Sequence, residues 1–180
     1  MVLSLFRRNA SEAIVERLYT QIVAAARRPV FFLPPYGIAD TVEGRFEILT
    51  VHAFLVLRRL SALPPPAADL AQDVTNRIFA GFDAALREMG VGDLTVPKRI
   101  KKMAGDFGGR NTTYAKAFAG DEALEAALAR NVYGQVDTDG AVRLAAWMRA
   151  AEAALAQANL PDFEKGLPAM PDPAREGVPS

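Results

Sequence analysis

Residues 41–61, TVEGRFEILTVHAFLVLRRLS, decide the fold. At 100° per residue, Val42, Phe46, Leu49, Ala53, Val56, Leu57 and Leu60 share one apolar face, while Ile48, Val51 and Leu55 form a second. A helix apolar on two faces belongs at the centre of a bundle. Asp40 and Glu43 have capping-box spacing, which predicts the start. The remaining flank carries Arg45, His52 and Arg59 at two-turn intervals.

Working outward, the pattern stays helical, and no alternating strand pattern of useful length appears. A first helix is predicted from Asn9, with Ile14, Val15, Leu18, Tyr19, Ile22, Ala25 and Ala26 on one arc, Arg27 and Arg28 in its last turn, and Pro29 as its stop. The apolar, proline-punctuated link 30–37 reads as an extended segment on the core. Pro64–Pro65–Pro66 is a stiff linker before a helix over 67–89, which Gly90 and Gly92 terminate. A fourth helix begins at Pro97, and shorter ones are expected over 112–119 and 121–131 before a last helix over 140–159. Together these make an all-α, irregular bundle of about six to seven helices over 1–160. The prolines of 161–180 suggest a mobile tail.

Composition narrows the chemistry. At 180 residues the chain can bury roughly 70% of its unfolded surface without metal or disulfide support. Hydrophobic residues are 51% and charged residues 23%, and the charges balance to zero. That balance gives no global field for DNA. Cysteine is absent, which excludes disulfides, thiolate metal sites, iron–sulfur clusters, covalent haem attachment and a thiol nucleophile. No segment reads as a signal peptide or a membrane span: Val2–Phe6 precede Arg7 and Arg8, the reverse of a leader's order. The most apolar run, Ile48–Leu57, is half the length of about 20 residues that a bilayer needs.

His52, the single histidine, reads as a hydrogen-bonded, partly buried residue beside two arginines, because no convergent partners lie near it in sequence. Asp40, Glu43 and Glu47 lack the Glu-x-x-His companions of a carboxylate metal site, so cap and helix-dipole roles are expected for them. An unfamiliar active site around Asp40, Glu43, Arg45 and His52 would require a pocket joining all four. Asp106–Phe107–Gly108 spells the kinase metal-binding triplet without any accompanying kinase motif. The segment Pro97–Met103 is more informative: Lys98, Arg99, Lys101 and Lys102 fill an arc of about 160°, opposite Ile100, Met103, Ala104 and Phe107. Arg110 and Lys116 follow. Such a face is either an ordinary solvated one or the seat of an anionic partner: phospholipid headgroups, ribosomal RNA or acidic protein.

The ordered words of the sequence go further. Tyr36–Gly37–Ile38–Ala39–Asp40–Thr41–Val42–Glu43–Gly44–Arg45–Phe46–Glu47, then Leu57–Arg58–Arg59–Leu60, Leu86–Arg87–Glu88–Met89–Gly90–Val91–Gly92–Asp93, Val96–Pro97–Lys98–Arg99–Ile100–Lys101–Lys102–Met103 and Ala129–Arg130–Asn131–Val132–Tyr133 resemble the ubiquinol–cytochrome c chaperone family over residues 10 to 155. One departure is visible: Phe107–Gly108–Gly109–Arg110 lacks a tyrosine that the family often has, and the segment is expected to gain flexibility. The resemblance implies an assembly chaperone of the respiratory cytochrome bc complex (complex III), without catalysis, metal or cofactor. It binds newly made cytochrome b near the ribosomal exit, with a second small assembly factor in mitochondrial relatives. It implies a cytoplasmic protein, peripheral on the inner face of the inner membrane (the matrix side in mitochondria). Asp40, Glu43, Arg45 and Phe46 are the family-motif residues at the helix start; Lys98, Arg99, Lys101, Lys102 and Arg110 are the candidates for client or membrane docking. The alternative is a peripheral phospholipid-binding helical protein without a cytochrome client.

Overall fold

The computed structural model describes residues 2–134 and 139–175, with the side chains of 2–10 excepted. It is an all-α, irregular bundle: α1 (Val2–Ala26), a 3-10 turn (Pro29–Phe32), α2 (Val42–Ala62), α3 (Ala67–Glu88), α4 (Val96–Ala119), α5 (Leu124–Val132), α6 (Asp139–Leu155) and α7 (Leu160–Lys165). Among the described residues there is no strand. Helix α2 packs against α1, α3, α4, α5 and α6, and Ile48, Val51, Leu55, Val56 and Leu60 along it are buried. The central position follows from its two apolar faces.

The start of α2 differs from the expected cap. Thr41 Oγ1, and not Asp40, accepts the Gly44 backbone N–H at 3.1 Å, which frees Asp40 for a charge pair. Gly44 is required there: a Cβ on it would lie 1.9 Å from the Ala39 carbonyl oxygen. The α1 boundary also moves. The helix continues through Asn9 to begin at Val2 and ends before Arg27 and Arg28. The link after α1 is no plain extended strand, since its 3-10 turn buries Phe31, with Tyr36 and Ile38 buried behind it.

Helix α3 ends in a left-handed glycine cap. Gly90 sits at φ 77°, and its N–H and that of Val91 donate to Arg87 and Leu86 carbonyls. The two helices expected on either side of Gly108–Gly109 are one continuous helix, α4. Each glycine costs helix propensity by about 1 kcal/mol. Buried Phe107, the Asn111 amide donating to the Phe107 carbonyl (2.8 Å) and the Arg110 ion pair described below hold the helix across the weak point. The flexibility expected there is replaced by regular helix.

The proline-rich end is likewise no free tail through residue 175. The C-terminal end of α6 leads to α7, whose Asn159 and Asp162 form a reciprocal capping box. Phe163 is fully buried, and Arg17 donates to the Glu164 and Lys165 carbonyls at 3.0 and 3.2 Å. Beyond α7 the chain runs as a strap along α1 and α6. Leu167 N–H donates to Gln21 Oε1 (2.7 Å), Trp147 Nε1–H to the Pro171 carbonyl (3.1 Å), and Tyr36 O–H to the Pro173 carbonyl (3.0 Å). The strap is neither helix nor strand, so these proline carbonyls are met by side chains from the bundle.

Candidate functional site

Two aromatic clefts flank α2, and the charged residues sort around them. The first lies under the strap. Its floor is Phe31, His52 and Trp147, with ring centroids 4.9–5.2 Å apart, and its rim is Gln21 and Arg28. Leu167, Met170 and Pro171 of the strap cover it, and Asp172 closes the rim with a 2.7 Å ion pair to Arg28. His52 is fully buried; its Nδ1–H donates to the Ile48 carbonyl at 2.8 Å, which leaves Nε2 as a bare acceptor. Burial pulls its pKa down to about 4, so the ring is neutral at pH 7.

The second is an open groove of about 160 Å³ between α1, α2 and α3, with Met103 of α4 at one end. Its walls are Tyr19, Phe46, Leu49, Ile78 and Phe82, with Phe46 and Phe82 rings 5.5 Å apart. Gly81 lets the Tyr19 ring close against α3: a Cβ there would sit 2.1 Å from the Tyr19 hydroxyl oxygen. Val42 (52% exposed) and Met89 (55%) stand at the lips. Arg27 and Arg45 are the charged lining residues, and none is acidic.

Of the family-motif residues, Phe46 and Arg45 line this groove. Asp40 holds Arg45 through two hydrogen bonds (2.6 and 3.2 Å), which keep the Asp40 carboxyl below its ordinary range and place the guanidinium 6.0 Å from the Phe32 ring centroid. Glu43 is exposed in the first turn of α2. His52 opens to the other cleft, so Asp40, Glu43, Arg45 and His52 share no pocket. The expected basic stripe dissolves in the same way: Arg45 serves Asp40, His52 serves Ile48, and Arg59 donates to the Ala158 carbonyl at 2.8 Å.

Lys98, Arg99, Lys101 and Lys102 are all exposed on α4. Lys102 reaches Asp106 at 2.7 Å; Lys98, Arg99 and Lys101 have no ion pair among the described residues. Arg99 stands one helical turn before Met103, the α4 residue that lines the groove. Arg110 does not join this face. It turns inward to Glu47 with three hydrogen bonds of 2.8–3.3 Å. Glu47 is buried, and its desolvation raises the carboxyl's pKa in spite of the arginine, while Arg110's own pKa rises through the bond. Glu47 is therefore neither cap nor dipole residue: it ties α2 to α4. That role is invisible in sequence, where the two lie on separate helices. The groove lips were equally hidden, since Val42 continues the periodicity of the core face. Among the described residues no group of three or more His, Cys, Asp or Glu is placed to hold a metal, and no helix is long and apolar enough to cross a membrane.

Comparison with known proteins joins these features to a family. The family model described as ubiquinol-cytochrome C chaperone matches residues 35–170, which span α2 to the strap. The crystal structure of the Cbp3 homolog from Brucella abortus is similar with a TM-score of 0.84 at 38% sequence identity, over 98% of this chain and 99% of that one. Among curated proteins none matches.

Proposed function

The chain belongs to the ubiquinol–cytochrome c chaperone family and is an assembly chaperone for the cytochrome bc complex; from that premise we propose that its client is newly made cytochrome b, held at the inner face of the membrane by surface contacts and without catalysis. The observation that carries the reading is the presence of both an exposed cationic face on α4 and an open apolar groove, which α4 reaches through Met103, in a chain whose described helices are not long and apolar enough to span a bilayer. A membrane protein still lacking its prosthetic groups exposes faces that misassociate, and a soluble helical surface masks such a face by helix packing. Near an anionic leaflet each cation contributes about 1 kcal/mol. Lys98, Arg99 and Lys101, with Lys102 partly offset by Asp106, thus give weak, reversible docking of about 3 kcal/mol, enough to concentrate the chaperone where the client emerges.

Affinity capture in mild detergent from cells making cytochrome b tests the client. Recovery of cytochrome b supports the reading, and its absence from a folded, membrane-exposed bait contradicts it. The exposed cationic face also favours a second reading, in which lipid contact is itself the function. Flotation on vesicles containing phosphatidylglycerol separates the two, using Lys98, Arg99, Lys101 and Lys102 changed to Glu. Loss of flotation with cytochrome b capture intact makes the face a docking aid; flotation without any cytochrome b capture favours the lipid reading.

A further inference from the structure

We infer that the open groove is the seat of one bulky apolar side chain of the client, of phenylalanine size, carried on an amphipathic helix with a carboxylate one turn from that anchor. The inference rests on the client reading above and adds the place and chemistry of contact.

Size sets the first condition. An apolar cavity of about 150 Å³ takes one benzene, and the groove measures about 160 Å³. It holds one aromatic or branched side chain, not a helix, so the rest of the partner lies across the lips. Those lips are Val42 and Met89, both more than half exposed, with Met103 at the end. Thioethers adapt to an incoming shape at little strain. Charge sets the second condition. The lining has Arg27 and Arg45 and no acid. Arg45 is held by Asp40, whereas Arg27 has no ion pair among the described residues. Arg99 adds a cation a turn from Met103. A partner with a lysine there is repelled and one with a carboxylate is drawn in.

The fold itself displays this mode of recognition. In the strapped cleft, Leu167 and Met170 cover an aromatic floor while Asp172, two residues on from Met170, pairs with Arg28 at the rim. Arg27 is the next residue to Arg28 and lines the other cleft. The open groove presents the same aromatic floor and rim arginine, but this chain's described residues supply neither an apolar cover for the floor nor a carboxylate for Arg27.

Two measurements decide it with the full chain. The first is titration of a short synthetic amphipathic helix with one Phe and a Glu one turn away, against versions with that Phe changed to Ala or that Glu to Lys. The second is capture of co-expressed cytochrome b. Ala85 is exposed and lines the groove, so Ala85→Phe fills it from the surface; Met89→Glu serves if that variant melts early. We expect the Phe-and-Glu peptide to bind wild type, Ala85→Phe to weaken it about tenfold, Arg27→Glu about fivefold, and Arg27→Lys less than twofold. Cytochrome b capture should fall in parallel. Equal binding of all three peptides, or unchanged binding by folded Ala85→Phe, overturns the inference. So does peptide loss with full cytochrome b capture, which would put the client elsewhere. A dimer in light scattering that Ala85→Phe dissolves would assign the groove to a second copy and overturn it too. Failure of wild type to capture cytochrome b sinks the client assignment, and the peptide titration then still decides the groove's chemistry.

Discussion

Arg27 and Arg28 are neighbours at the end of α1, yet they serve opposite clefts. Arg28 pairs with Asp172 beside a floor of Phe31, His52 and Trp147, and the chain's own strap lines the cleft and buries those rings. Arg27 lines a groove of Phe46, Phe82 and Tyr19 that no described segment covers. Both clefts have aromatic walls, a cationic rim and α2 at their base, so composition does not separate them. What separates them is who supplies the cover. A cleft whose floor the strap buries should contribute to folding stability and an uncovered one to binding, and substitutions at the two should have different consequences.

The largest effect is expected in the strapped region. Phe163 anchors α7 and the start of the strap with its side chain fully buried, and Phe163→Ala should cost about 3–5 kcal/mol in urea unfolding. A loss below 1 kcal/mol would mean that the strap is not part of the cooperative unit. His52 comes next. Its pKa is about 4 in the fold against 6.5 in the unfolded chain, so between those values the unfolded state takes up a proton that the native state refuses. Its contribution is complete above pH 6.5 and is lost as the pH falls toward 4, a change of about 3 kcal/mol. The difference in stability between wild type and His52→Gln should therefore shrink with acidification through that window, and a difference independent of pH would contradict the burial argument. Trp147→Phe removes the donor to the Pro171 carbonyl and should cost about 1 kcal/mol. The smallest change belongs to the open groove: Met89→Glu should alter stability by less than about 0.5 kcal/mol while lowering cytochrome b capture. If it destabilises as Phe163→Ala does, the two clefts are not different in kind.

How legible this was depended on how local each cause is. The central place of α2 was readable from residues 41–61, because two apolar faces admit no surface position. Capping was half readable. The carboxylate at Asp40 had the right spacing, yet Thr41 took the cap and Asp40 went to Arg45, a choice made by the tight approach at Gly44. Gly108 and Gly109 signalled a break that Phe107 and the Glu47–Arg110 pair override. The prolines after Leu160 signalled mobility because their carbonyl partners, Trp147 and Tyr36, lie far away along the chain. For the candidate site, the exposed cations at Lys98, Arg99, Lys101 and Lys102 were visible in advance, and the inward turn of Arg110 was not. The groove was unreadable for a physical reason. Val42, Phe46 and Leu49 repeat with the period of a buried face, and only the arrangement of neighbouring helices leaves their end of it bare.

The central claim is that the chain is a chaperone needed to assemble the cytochrome bc complex, and removing the gene tests it most directly. Reduced-minus-oxidised difference spectra and native electrophoresis of membranes from the deletion strain should show the bc complex absent or severely depleted. Other respiratory complexes should remain, and the wild-type gene should restore the loss. Fully assembled, active bc complex in the deletion strain would contradict the account.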